Sequence, residues 1–317
     1  MEYELIGEKP GDEANDKPKK SSEDWEKIHK EALAQFELCK SANADNREAA
    51  LEDLKFWRLG EQWHQSDIDN RAAGSRPCMT FNRGPTFIRK VVNSGRQNKP
   101  AIKVHPADNQ ADPATALVIN DLLRQIEYAS KADIAYDTGL DSAASAGVGY
   151  WRVNMAYACD DSFDMDIIIE PIENIFSVYG DYSAGGGDSS KNWMCCFVTD
   201  IIGKKEFEEK YGEKDGIDWD SDAYESMPDA WREGDKVVVA EYWKREEVPK
   251  TICLLTDGRV VEKDWLSEEV PDIEGLTNEI MLSQAGITVQ EERESKGYKV
   301  TQYIMSGVEI LEEIEWA

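Results

Sequence analysis

The sequence has no long apolar run. None of its windows holds ~20 consecutive apolar residues, so no segment reads as a membrane-spanning helix. The opening stretch, MEYELIGEKPGDEANDKPKKSSEDW, lacks the apolar core of a signal peptide. Its mixed charge with Pro and Gly predicts a disordered tail over residues 1–21. Cysteine is sparse: Cys39, Cys78, Cys159, Cys195, Cys196 and Cys253, with no CxxC pair, a usage that points to a reduced intracellular compartment. Cys195 and Cys196 sit in the strand-like run WMCCFV, where neighbours face opposite ways, and read as small core residues. Only three histidines occur, His29, His64 and His105, and they are scattered. There is no HExxH and no Cys/His set for zinc, and no GxSxG elbow for a serine nucleophile. With 64 acidic residues, carboxylate pairs arise by chance, so none identifies an acid–base dyad. No cofactor and no metal site is expected.

Bases are also scarce. The 36 Lys and Arg against 64 Asp and Glu leave a net charge of −28, which excludes tight nucleic-acid binding over the whole surface. The charge is uneven, however. Residues 70–107 contain no acid, and carry Arg71, Arg76, Arg83, Arg89, Lys90, Arg96, Lys99 and Lys103. Residues 264–294 reverse the balance, with nine acids and the single base Arg293. The basic stretch reads either as a solvated helix face or as a surface for phosphate or for an acidic neighbouring subunit.

The 317 residues suggest roughly two domains, and 41% apolar content with 10 Trp and 12 Tyr supplies a real core. The first half has helical periodicity. Ser21 and Asp24 have capping-box spacing, and Trp25, Ile28, Ala32 and Phe36 share one face. A second helix is predicted over 46–59 with Leu51, Leu54 and Trp57 inward. RAAGSRPCMTFNRGP reads as a loop. Pro85 opens a helix whose stripe is Phe87, Ile88, Val91, Val92 and Gly95, with Arg89, Lys90 and Arg96 mostly off it. AIKVHP is predicted as a short strand. Asp112 and Pro113 start another helix, with Val118, Ile119, Leu122, Leu123 and Ile126 as its stripe. A further helix spans 132–146.

Beyond Gly147 the period changes to two. Trp151, Val153, Met155 and Tyr157 alternate with Arg152 and Asn154. FDMDIIIEPI, KNWMCCFVTD, KVVVAEYWKREEV, TICLLTDGRVV and KGYKVTQYIMSGVEIL are predicted strands, with Asp257-Gly258 and Ser306-Gly307 as hairpin turns. Residues 200–211 form a short amphipathic helix, and 266–285 an acidic helical stretch. The chain stops abruptly at EEIEWA, which leads to the expectation of a truncated chain.

Gly147-Val148-Gly149 looks at first like a phosphate loop. Such a loop needs strand, glycines, then a helix N-terminus; here the order is helix, glycines, strand. The glycines stand at the carbonyl end of a helix, which repels anions, and Gly147 suits a left-handed cap. The residues Gly147, Gly149, Trp151 and Arg152 therefore read as a structural corner. SAGGGDSSK lacks the Gly-Lys-Ser/Thr ending of a P-loop. DWDSDAYESMPD, from Asp218 to Asp229, has acids at calcium-loop positions one, three and five, but Ala223 stands where glycine is needed.

FNRGPTFIRKVVNSGRQNKPAIKVHP, SAGVGYWRVNMAY, EPIENIFSVYGDYS, WMCCFVTDIIGKKEFEEKYG and VVVAEYWKREE, in that order, resemble the portal proteins of short-tailed bacteriophages. The resemblance covers about residues 25–312. It implies an α+β fold: a helical N-terminal part packed on mixed and antiparallel sheet, the portal wing, leading into stem and clip elements. The parts expected are a helical wing region over 22–147, a β-rich wing region over 148–245, and a segment approaching the stem and clip over 246–317. The resemblance further implies a homo-oligomeric ring, usually a dodecamer, at one capsid vertex, through which double-stranded DNA passes without sequence preference. Its implied partners are the terminase, tail and head-completion proteins, scaffold and capsid proteins. Its implied location is the virion, and the host cytoplasm during assembly. No catalytic activity is implied, since ATP hydrolysis belongs to the terminase. Arg83, Arg89, Lys90, Arg96 and Lys99 are the candidate contacts to a neighbouring subunit or DNA, and 251–312 the candidate docking surface. The rival readings are a tail or adaptor protein and a metal-dependent hydrolase using the acids of 218–229.

Overall fold

A computed structural model describes residues 21–99, 101–106, 112–159, 161–182, 190–211, 231–233, 236–268 and 276–316. The elements are α1 (Ser22–Ala42), α2 (Ala44–Leu54), α3 (Gln65–Ala73), α4 (Gly84–Gln97), α5 (Pro113–Ala129), α6 (Ala132–Ala146), β1 (Tyr150–Tyr157), β2 (Met165–Ile172), β3 (Val178–Gly180), β4 (Cys195–Gly203), α7 (Lys204–Tyr211), β5 (Arg232–Glu233), β6 (Lys236–Leu255), β7 (Val260–Glu262), α8 (Lys263–Ser267), α9 (Asn278–Gln284), β8 (Val289–Met305) and β9 (Ile310–Trp316). The class is α+β, and the strand registers that are described are antiparallel. The chain divides into two compact units, Glu37–Tyr179 and the described parts of 19–36 with 180–317.

In the first unit α6 is the hub, touching α2, α4, α5, β1 and β2. Its partners come close because its inward residues are small. Ala132, Ala135, Gly139, Ser145 and Ala146 are buried. Ala146 meets Ala50 and Ile175, with Leu54, Val148, Tyr150 and Phe176 around them. Arg47 ties α2 to the end of the unit: its guanidinium donates to the carbonyls of Val178 and Phe176 and lies 4.1 Å from the centre of the Tyr179 ring. After α2 the chain makes one π-turn, Lys55–Leu59, closed by Gly60 at φ 72°. β1 and β2 form a hairpin pairing Tyr150 with Ile172 through Tyr157 with Met165.

The second unit is built on a sheet of order β3-β4-β6-β8-β9, with β5 and β7 also against β6. Direct cross-strand partners share a face. Phe197, Tyr242 and Tyr303 are such partners, and their rings stack at 4.5 and 5.9 Å. α1 covers them through Phe36, 5.4 Å from Phe197 and 4.9 Å from Trp231. Ser21 and Asp24 cap that helix reciprocally: Ser21 N–H donates to Asp24 Oδ2 at 3.0 Å, and Asp24 N–H to Ser21 Oγ at 3.3 Å. On the opposite face Ile202, Val237, Val239 and Leu311 pack against Phe207 of α7. Past the end of β4, β6 and β8 continue as a two-stranded ribbon. It ends in a small module where Cys253, Leu255, Leu266 and Leu282 close a core of their own.

Several expectations change. Residues 101–106 are not a strand. The Asn120 side chain takes the place of a partner strand there, accepting from Val104 N–H and donating to Val104 C=O, both at 2.9 Å. The first three residues of the loop expected from Arg71 belong to an unpredicted helix, α3, and the predicted 46–59 helix changes to π geometry at Lys55. KVVVAEYWKREEV and TICLL are one strand running through Pro249. Proline is tolerated because β6 has β8 on one side and, among the described residues, no strand on the other at that point. In the acidic 266–285 stretch the described residues include the end of the short helix α8 and the whole of the short helix α9. The 1–20 tail, the glycines of SAGGGDSSK and the acids of 218–229 lie outside the described residues.

Candidate functional site: the outward side of the fourth helix

The acid-free stretch supplies α4 and the segments beside it. Arg83 precedes the helix and Pro85 occupies its first turn, where no N–H is required. Asn82 holds this end in place. Its amide donates to the carbonyl of Trp57, and its Oδ1 accepts from Gly84 N–H at 3.0 Å. Trp57 is itself held by a 3.1 Å bond from Nε1 to the carbonyl of Ser145. Gly84 has to be small, since a Cβ there would lie 2.9 Å from Cβ of Trp57. Further along, a Cβ on Gly95 would come within 2.4 Å of a Leu140 methyl, so α4 and α6 meet through that glycine and the buried Val92.

The helix therefore turns Ile88, Val92 and Gly95 inward, but not the whole predicted stripe. Phe87 is 67% exposed and Val91 58% exposed. The five candidate cations fall into two sets. Arg96 Nε lies 3.1 Å from Asp137 Oδ2, and Lys99 Nζ lies 2.7 Å from Asp133 Oδ1 and 3.6 Å from Asp137 Oδ1. The hydrogen bond to Asp133 raises the Lys99 ammonium above its ordinary value. Asp133 and Asp137 stand one turn apart on α6, a spacing visible in the sequence once α6 is known to face α4. Arg83, Arg89 and Lys90 are exposed and make no ion pair among the described residues. Arg83, Phe87, Lys90 and Val91 follow one side of the helix, with Arg89 on its flank. An open depression there is lined by Phe87, Arg89, Lys90, Asn93 and Gln97.

The four residues read as a corner lie together where α6 ends and β1 begins. Gly147 caps α6 at φ 84°, its N–H donating to Ala143 C=O at 3.0 Å. A Cβ on Gly149 would fall 1.9 Å from the Gly139 carbonyl oxygen. The Trp151 ring lies over Gly139 and edge-on to Tyr136 at 5.5 Å. Arg152 pairs across the ladder with Glu170, Nε to Oε2 at 3.1 Å. Alternation is kept along β1, but Trp151, Val153 and Met155 are its exposed residues while Arg152 and Asn154 are half-buried.

Among the described residues no group of three His, Cys, Asp or Glu side chains could hold a metal ion, and no helix is long and apolar enough to cross a membrane. Cys195 is buried and Cys196 half-buried. Burial pushes the Cys196 thiol up to about 12, so it carries no reactive thiolate at neutral pH.

The model of the phage P22-like portal protein family matches residues 33–317, and the chain belongs to that family. A portal protein of Acyrthosiphon pisum secondary endosymbiont phage 1 is 26% identical over 239 residues, which cover 72% of this chain and 33% of that protein. The match thus spans about a third of the length of this curated relative.

Proposed function

We propose that the chain is a structural subunit of a portal ring at one capsid vertex, through which viral DNA enters during packaging and leaves at ejection. The observation that carries this reading is the family match along residues 33–317, nearly the full chain. The charge supports it. A net charge of −28 repels the duplex, and a channel wall that neutralises few phosphates lets DNA slide instead of gripping it. The subunit performs no chemistry of its own; nucleotide hydrolysis falls to the terminase. The ring is homo-oligomeric, in the virion and, during assembly, in the host cytoplasm. The ribbon and module of residues 251–312 are the docking surface for the terminase and for tail or head-completion proteins. The cations at the start and along the outward side of α4 contact either the adjacent subunit or DNA.

Negative-stain imaging of the purified chain tests the reading. Rings with a central opening are the expected image. Isolated single copies at every concentration would overturn ring formation by this chain.

A further inference from the structure

We propose that the outward side of α4 docks on the outward side of α2 in a second copy of this chain. The inference rests on the portal reading and chooses one of the two partners it leaves open for α4.

Phosphate recognition needs cations and hydrogen-bond donors; it has no use for Phe87 and Val91, which stand exposed between the cations. The cations are also too few for DNA. Arg96 and Lys99 are already neutralised by Asp137 and Asp133, which leaves Arg83, Arg89 and Lys90. Each phosphate contact contributes only about 0.9 to the salt slope, and the body around these three residues is strongly acidic. A surface that mixes an exposed aromatic ring with cations fits a protein partner that mixes apolar groups with carboxylates.

Such a surface exists on the same unit. α2 buries Ala50 and half-buries Leu54 against the core around Ala146 and Ile175. Its outward residues include Asp45, Glu48, Glu52 and Asp53, all exposed and none in an ion pair among the described residues. Beside them Leu51 and, one π-turn later, Phe56 and Leu59 are exposed, at 44%, 53% and 66%. Glu48, Glu52 and Phe56 succeed one another at four-residue spacing, as Phe87 and Val91 do on α4. The α2 side is thus acidic and apolar where the α4 side is basic and apolar. The two patches differ and complement each other, which is the condition for a head-to-tail contact, the kind that closes into a ring. Neither patch complements itself, so an isologous pair through α4 alone would bring like charges together.

Sedimentation velocity on the full chain, with reciprocal charge exchange, tests the proposal. Arg89→Glu with Lys90→Glu should weaken self-association by about tenfold or more, and so should Glu48→Lys with Glu52→Lys. A mixture of the two double variants should recover assembly, because every contact between unlike variants is of matched sign (reversed α4 on reversed α2, unchanged α4 on unchanged α2), and the fourfold variant should recover assembly to within a few-fold of the wild type. Duplex DNA retention by gel shift is measured on the same samples. Assembly unchanged in both double variants, or lost in both without recovery in the fourfold variant, overturns the α4–α2 contact while leaving the ring in place. Intact assembly with lost DNA retention in Arg89→Glu/Lys90→Glu assigns α4 to DNA and equally overturns it. A wild-type chain that is monomeric at every concentration rejects the contact together with ring formation by this chain.

Discussion

The two units of this protein bury different things. In the sheet unit the largest fully buried side chains are Trp231, Tyr242, Phe197, Phe207, Leu255, Met305 and Val237. In the helical unit the buried positions are mostly small, Ala50, Ala116, Ala132, Ala135 and Ala146, with Val92 and Ile175 among the few larger ones. The large apolar side chains of that unit are instead turned out: Phe81, Phe87, Leu117, Val118, Leu122, Val153 and Phe163, the last 96% exposed. One unit is held by aromatic area removed from water. The other is held by close backbone approach, with its bulky groups left outside. A stretch of surface carrying that much apolar area is suited to bury it against a partner, which is where the contact between α4 and α2 belongs.

The contrast can be broken from either side. The largest effect is expected at Phe197→Ala, which removes the ring between Phe36 and Tyr242 and should destabilise by about 3–5 kcal/mol. Hydrogen exchange read by mass spectrometry should rise in β4 and β6 while α4 and α6 keep their protection. Comparable loss of protection in α4 and α6 would show that the units are one cooperative core. Next comes Gly149→Ala. One methyl group there meets a backbone carbonyl that cannot swing aside, so the substitution should cost about 3 kcal/mol, with the exchange increase in α6 and β1. A melt indistinguishable from the wild type would refute close approach as the organising contact of that unit.

A smaller effect is expected at Gly147→Val. Nothing lies within 4 Å of the added Cβ, and φ is 84°. The cost is therefore conformational only, about 1–2 kcal/mol, and Gly147→Asn should recover part of it in a thermal melt. Equal melts for Val and Gly would remove the left-handed cap from the account. The smallest prediction concerns thiol chemistry and leaves stability untouched. Cys159 is exposed, whereas Cys196 has its thiol raised by burial and needs a far higher pH to ionise. A disulfide reagent at mildly alkaline pH should label Cys159 first and leave Cys196 unmodified until the chain is denatured. Early labelling of Cys196 would mean that the sheet opens more readily than its packing implies.

Much of the local structure was legible because it depends on neighbours in the chain. The Ser21–Asp24 box, the Asp112–Pro113 helix start, the left-handed cap at Gly147 and the hairpin turn at Asp257-Gly258 each need only a few adjacent residues, and each is present. The failures are of another kind. Residues 101–106 have strand chemistry but, among the described residues, no strand beside them; the Asn120 amide takes that place. Proline interrupts most strands, but Pro249 sits where, among the described residues, β6 is paired on one side alone. The candidate site was legible in part. The run of bases without acids marked α4, yet nothing local to Arg96 or Lys99 distinguishes them from Arg89 and Lys90.

By itself the sequence determined the charge of the chain, the place of its one basic stretch, the helical first half, the strand-rich second half, and the family through the order of its motifs. Those are properties of composition and near-neighbour spacing. Only the tertiary structure decided which cations remain available, because Asp133 and Asp137 reach Arg96 and Lys99 from another helix, 34 residues away in the case of Asp133 and Lys99. It alone decided, too, which apolar residues of an amphipathic stripe are buried. A stripe states that one side of a helix avoids water; what covers that side is set by elements distant in sequence, and here Val92 is buried while Phe87 is left outside.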